Sequence, residues 1–164
     1  GLEKGNLSGY DVKAEDNTLF AEIKNKHNTM SSASAEAAFQ KLARFADDNK
    51  QAECYLVQIL AKKSFTKKWS GIINGKEYSH SRVNMISGDQ FYKLLSGREN
   101  AFFELYKILP RAISDFIEMK DNKSIDSNSA LEEITSSSKK SKRSILDEIT
   151  FENYNHYLGF DKLE

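Results

Sequence analysis

The stretch Tyr10-Asp11-Val12-Lys13-Ala14-Glu15-Asp16-Asn17-Thr18-Leu19-Phe20-Ala21-Glu22-Ile23-Lys24-Asn25-Lys26 decides how the rest of the chain is read. It holds two short extended runs, Tyr10 to Ala14 and Leu19 to Asn25, separated by the turn-prone Glu15-Asp16-Asn17-Thr18, a pattern that predicts a β-hairpin. Strand side chains alternate with period two, so Glu22 and Lys24 share one face while Ile23 points to the other, into the core. With the turn near Asp16 to Thr18, Asp11 comes across the hairpin close to Glu22. Two carboxylates and an amine are thereby gathered on rigid backbone.

Downstream, Ser32 to Asp48 places Ala35, Ala38, Phe39, Leu42, Phe45 and Ala46 at three- and four-residue spacing, with Ser32 and Ser34 as caps, which predicts an amphipathic helix. Cys54 to Ala61 is a nearly continuous apolar run of strand length, as expected of a parallel strand covered on both faces. The order strand, helix, strand implies a right-handed crossover. Asn74-Gly75 predicts a small hairpin within Gly71 to Tyr78, and Arg82 to Ile86 reads as a further strand. Ser87-Gly88-Asp89 opens a helix carrying Phe91, Leu94 and Leu95 that stops at Gly97. Another helix runs from about Asn100 to Ile117, interrupted or kinked at Pro110, and a last one from Ile145 to Leu158 ends at Gly159. The fold class is therefore α/β. Residues 119–144, rich in Ser, Lys, Asp and Asn, read as a flexible or weakly ordered connection within a single domain over residues 1–164.

The bulk numbers narrow the function classes. A chain of 164 residues, 39% hydrophobic and 29% charged, falls in the range of one globular domain. A mean hydropathy of -0.61, with no apolar run approaching about twenty residues, argues against a membrane partner. The single cysteine, Cys54, excludes an intramolecular disulfide framework, and no signal-like segment opens the chain, so a reducing, cytoplasmic setting is expected. The chain starts at Gly1 and reaches a strand-like segment at once, so an N-terminal portion is expected to be missing. Net charge is zero, 24 basic against 24 acidic residues, and only the distribution of charge can point to a nucleic acid. Lys62, Lys63, Lys67 and Lys68 cluster with Phe65 and Trp69, and Lys139, Lys140, Lys142 and Arg143 form a second run.

Two adjacent carboxylates repel unless a cation lies between them. Magnesium prefers carboxylate oxygens and keeps several waters, so Asp11 and Glu22 are candidate Mg2+ ligands. Lys24 is placed to orient or deprotonate an attacking water, or to stabilise charge growing on a phosphate. The same three residues would also suit a solvated hairpin face with a cross-strand ion pair.

Asp11, ten intervening residues and Glu22-Ile23-Lys24 resemble the PD-(D/E)XK nuclease motif. Lys24-Asn25-Lys26-His27-Asn28-Thr29, Val83-Asn84-Met85-Ile86-Ser87-Gly88-Asp89-Gln90-Phe91-Tyr92 and Asn153-Tyr154-Asn155-His156-Tyr157-Leu158-Gly159-Phe160 resemble type II restriction endonucleases that cut GGNCC-type sites. The resemblance spans most of the chain. It implies a mixed sheet flanked by helices in a restriction-endonuclease-like core, Mg2+ on Asp11 and Glu22, catalysis by Lys24, and a homodimer that hydrolyses double-stranded DNA at a short palindrome. A solvated ion pair needs no buried parallel strand behind it, whereas such a core does. Two departures stand out: Tyr10 replaces the usual proline, and Glu3 is the only acid ahead of the hairpin, so the acid often supplied by a preceding helix has no assured counterpart.

The resemblance gives further residues a DNA-contacting reading beside a structural one. Asn25, Lys26, His27 and Asn28 follow the catalytic strand and carry donors for a phosphate or base edge. Lys62, Lys63, Lys67 and Lys68 suit phosphate contacts, and His80 and Arg82 precede the last core strand, Arg82 with the fork that grips guanine. A structure-selective or repair nuclease on the same scaffold, or a catalytically inactive DNA-binding module, are the alternatives the same residues allow.

Overall fold

The computed structural model of the chain describes residues 2–4, 11–26, 30–119 and 145–160. It divides into two compact units, Gly1–Gly97 and Arg98–Glu164.

The first unit is built on the hairpin. Strand β1 (Leu2–Lys4) pairs antiparallel with β2 (Val12–Ala14), which pairs antiparallel with β3 (Leu19–Lys26), Val12 opposite Ala21 and Lys13 opposite Phe20. Asn17 turns the chain at φ 58°, and the Asp16 carboxylate accepts from the Thr18 N–H at 3.1 Å. Helix α1 (Ser32–Asp48) follows, but its cap is Ser31, not Ser32 or Ser34. Ser31 has the extended backbone an N-cap needs, and its hydroxyl accepts from the Ser34 N–H at 3.2 Å. Strand β4 (Glu53–Leu60) then pairs parallel with β3, from Leu19 beside Glu53 to Lys26 beside Leu60.

Strands β5 (Thr66–Ile73) and β6 (Lys76–Ser87) form a longer hairpin than the sequence indicated. Its turn is Asn74-Gly75, both at positive φ (52° and 75°), the combination a two-residue type I′ turn requires. The expected hairpin arm and the expected strand at Arg82 to Ile86 are one element, and β6 also pairs parallel with β4. The sheet is six-stranded and mixed, in the order β1-β2-β3-β4-β6-β5. The expected α/β class, a mixed sheet flanked by helices, is what the chain adopts.

Each face of the sheet has its own cover. Phe20, Cys54, Leu56, Trp69 and Val83 pack beneath Ala38, Phe39, Leu42 and Ala46 of α1. Phe20 stacks on Phe45 at 4.2 Å, and Trp69 meets Phe39 edge-on at 5.3 Å, which makes Trp69 a core residue. Each fully buried Leu or Phe here contributes about 2 kcal/mol relative to exposure. On the opposite face, Ala21, Tyr55, Val57 and Ile86 pack with Phe91 of α2 (Gly88–Ser96). A Cβ on Gly88 would lie 3.2 Å from the Ile59 carbonyl, so glycine lets α2 begin against the end of β4.

In the second unit, α3 (Ala101–Met119) runs through Pro110 as one helix, and α4 (Ile145–Tyr154) ends earlier than expected. The chain turns after Tyr154, with Gly159 at φ 87°, and thereby buries Tyr157 and Phe160 with Phe102, Phe103 and Tyr106. Phe160 lies 5.1 Å from the ring of Phe103 and 4.9 Å from that of Tyr106. Apart from Met119, the 119–144 connection lies outside the described residues. Among the described residues, no helix is long and apolar enough to cross a membrane.

Candidate active site

Every described residue singled out for chemistry lies in the Gly1–Gly97 unit. Glu22 and Lys24 project from β3 on the face that carries Phe20, beneath α1. Lys24 Nζ donates to Glu22 Oε1 at 2.9 Å, and Lys41 Nζ, reaching down from α1, donates to Oε2 at 2.6 Å. Lys41 is the neighbour of fully buried Leu42, and its ammonium lies 5.7 Å from the Phe20 ring centroid. Only 16% of the Glu22 side chain is exposed. Burial pushes its carboxyl up, but the hydrogen bonds from Lys41 and Lys24 outweigh burial and hold it below the ordinary glutamate range. Glu22 is an anion at neutral pH, with one ammonium on each oxygen.

Asp11 continues the β2–β3 register to the position facing Glu22. Its Oδ2 accepts the Ile23 N–H at 2.7 Å, which fixes the carboxylate against β3, while Oδ1 makes no hydrogen bond among the described residues. The expectation that Asp11 and Glu22 face each other across the hairpin is what the register produces. Among the described residues, no group of three or more His, Cys, Asp or Glu side chains converges. A cation here would rest on two carboxylates, completed by water or main-chain oxygen. That hard, oxygen-only donor set suits magnesium and does not suit zinc.

The sheet carries the site sideways. Glu22 lies beside Leu56, Leu56 beside Met85 and Met85 beside Lys67, while Lys24 lies beside Gln58 and Gln58 beside Ser87. Register partners point to the same face, so a strip runs from the hairpin carboxylates across β4 and β6 to β5. At its far side Gln58, Lys62, Lys63, Phe65, Lys67 and Met85 line a pocket of about 440 Å³. Lys67 is placed by strand β5, not by a loop, with its ammonium 5.7 Å from the Phe65 ring centroid.

Other sequence-derived candidates lie elsewhere. Lys68 faces Glu53 at 3.6 Å, at the start of β4. Arg82 donates from Nη1 to the Asn49 carbonyl at 2.9 Å and to that of Ala52 at 3.5 Å, and its N–H donates to His80 Nδ1 at 3.1 Å. His80 Nε2 in turn lies 3.2 Å from Asp47. These two residues brace the turn between α1 and β4, at the opposite end of β4 from Gln58. Asn25 and Lys26 are exposed at the end of β3, and His27, Asn28 and the Lys139 to Arg143 run lie outside the described residues.

Two residues of the site escaped the sequence reading. Lys41 has no local signal, because its role depends on how α1 seats over β3. Gln58 had one: it is the polar interruption in the apolar run of β4, a position where a buried polar group calls for an explanation.

Comparisons with known proteins give the family. A family model described as Eco47II restriction endonuclease matches residues 1–118. The chain is 42% identical over 161 residues to the type II restriction enzyme Sau96I of Staphylococcus aureus, covering 92% of this chain and 62% of that protein. It is 30% identical over 115 residues to the type II restriction enzyme Eco47II of Escherichia coli, covering 63% of this chain and 47% of that one. The chain thus spans roughly half to three-fifths of the length of these relatives. No solved structure matches it significantly.

Proposed function

This chain belongs to the Eco47II restriction endonuclease family, and from that premise we propose that it hydrolyses phosphodiester bonds of double-stranded DNA at a short palindromic site, with Mg2+. The observation that carries the proposal is the Glu22–Lys24 pair on β3 with the Asp11 carboxylate held on the Ile23 N–H between them, continued by Lys67 on the same sheet face. Asp11 and Glu22 are the Mg2+ ligands in this reading. The bound ion would polarise the phosphate and lower the pKa of a water.

The chain's own groups do the rest. Lys24 Nζ, fixed by Glu22, stands beside the carboxylates, where it orients the attacking water and neutralises charge on the phosphate. Lys41 keeps Glu22 ionised. Lys62, Lys63 and Lys67 hold the DNA backbone along the strip, and Asn25 and Lys26, with His27 and Asn28, extend that contact past the end of β3. In the reaction a water oxygen bonds to phosphorus as the P–O3′ bond breaks, leaving a 5′ phosphate and a 3′ hydroxyl. The resemblance of residues 24–29, 83–92 and 153–160 to enzymes that cut such sites supports a GGNCC-type site. A palindrome has twofold symmetry, so the working form is a homodimer, one site per strand, acting in the cytoplasm.

Cleavage of plasmid DNA with magnesium, parent against Lys24→Ala, tests the reading. Discrete fragments that share one short palindrome at their ends, lost in the variant, are the expected result. Random degradation, cutting at branched DNA only, or cutting that survives Lys24→Ala would overturn it.

A further inference from the structure

Gln58 is only 6% exposed, yet its side chain makes no hydrogen bond among the described residues. No described side-chain polar atom is both sealed from solvent and unpartnered, so the amide opens into the pocket it lines. An amide that faces a cavity is left to water there, and a ligand that matches its donor and its acceptor can take the water's place. The pocket walls give the ligand's chemistry. Phe65 and Met85 offer apolar surface, and Lys62, Lys63 and Lys67 bring cations. At about 440 Å³ the cavity is within the range of small-molecule sites, roughly 300–1,000 Å³.

We propose that this pocket receives a single DNA base extruded from the duplex next to the bond that is cut. Gln58 would read the base edge, Phe65 and Met85 would contact its faces, and the three lysines would hold the flanking phosphates. A phosphate alone would leave the Gln58 carbonyl unused, because it only accepts hydrogen bonds. A base edge both donates and accepts, as a carboxamide does. A base still in the duplex cannot reach a side chain this deep, so the base must come to it. Gln58 is the register partner of Lys24 on the neighbouring strand, about 4.8 Å away, which places the pocket beside the reacting phosphate. Stacking of the base on the Phe65 ring offsets part of the cost of its extrusion.

The inference rests on the nuclease reading of the same strip, and one experiment separates the two. Duplexes containing 2-aminopurine at successive positions across the cleavage site are bound to the chain with calcium in place of magnesium. Anisotropy reports binding, and 2-aminopurine fluorescence reports unstacking. A several-fold rise at one position, abolished by Gln58→Leu and reduced by Phe65→Leu while binding persists, is the expected result. Binding with no brightened position, or a rise unchanged in both variants, overturns the pocket assignment and leaves the nuclease reading standing. Absence of both binding and magnesium-dependent cleavage overturns the nuclease reading, and the pocket assignment with it.

Discussion

Replacing Lys41 by Met should tighten divalent-cation binding, although Lys41 belongs to the site. Lys41 Nζ lies on Glu22 Oε2 at 2.6 Å, so a metal ion on Glu22 must displace or share with an ammonium. The Lys41 side chain is 35% exposed and that of Glu22 16%, which puts the pair between a surface ion pair and a buried charged hydrogen bond. After discounting for solvent screening, it contributes about 1 kcal/mol. Removing that competition makes cation binding about fivefold tighter. Met keeps the unbranched stem over Phe20, so the fold should remain within about 1 kcal/mol of the parent. Calorimetric titration with Mn2+ measures the affinity and thermal denaturation checks the fold. A pH series adds an independent signature. Folded Glu22 titrates below the ordinary glutamate value of 4.5, so its ionised form favours the folded chain above that pH, and the contribution disappears as pH falls through the lower folded value. The variant should lose part of this acid-side dependence. An unchanged or weaker Mn2+ affinity in a folded variant would refute the competition argument.

The remaining expectations probe the scaffold. Leu42→Ala removes a fully buried side chain from beneath α1 and should cost about 3 kcal/mol in urea unfolding; a loss under about 1 kcal/mol would mean that α1 is not held by that contact. Arg82→Lys should lower the Tm through the lost contacts to Asn49 and Ala52 while DNA affinity changes less than about twofold; a large affinity loss at unchanged Tm would return Arg82 to the DNA interface. Burial pushes the Cys54 thiol up to about 12, so iodoacetamide should label it only after the chain is unfolded, and rapid labelling of folded protein would contradict its position in the core.

What the sequence disclosed follows from the range of the interactions involved. The hairpin, α1 and β4 were legible because period-two alternation, a three-and-four spacing and a continuous apolar run are local signals, and Asp11, Glu22 and Lys24 came with them. The extent of the β5–β6 hairpin was not legible, because Lys67 and Lys68 carry no apolar alternation, and only pairing with Met85 and Asn84 makes them strand. The cap at Ser31 lies one residue before the first of the expected hydroxyls, since neighbouring serines differ only in backbone conformation. Lys41 and Arg82 mark the deeper limit. Both are cations in amphipathic context, yet one reaches the Glu22 carboxylate and the other two main-chain carbonyls, a difference set by tertiary placement alone. Gln58 is the intermediate case: its neighbours identify the strand, and only the strand's parallel register with β3 reveals that this polar residue stands next to Lys24. A polar residue inside a buried strand can therefore be traced to a site only after the register is known. In this chain that register joins the hairpin carboxylates to the lysine-lined pocket on a single face of the sheet.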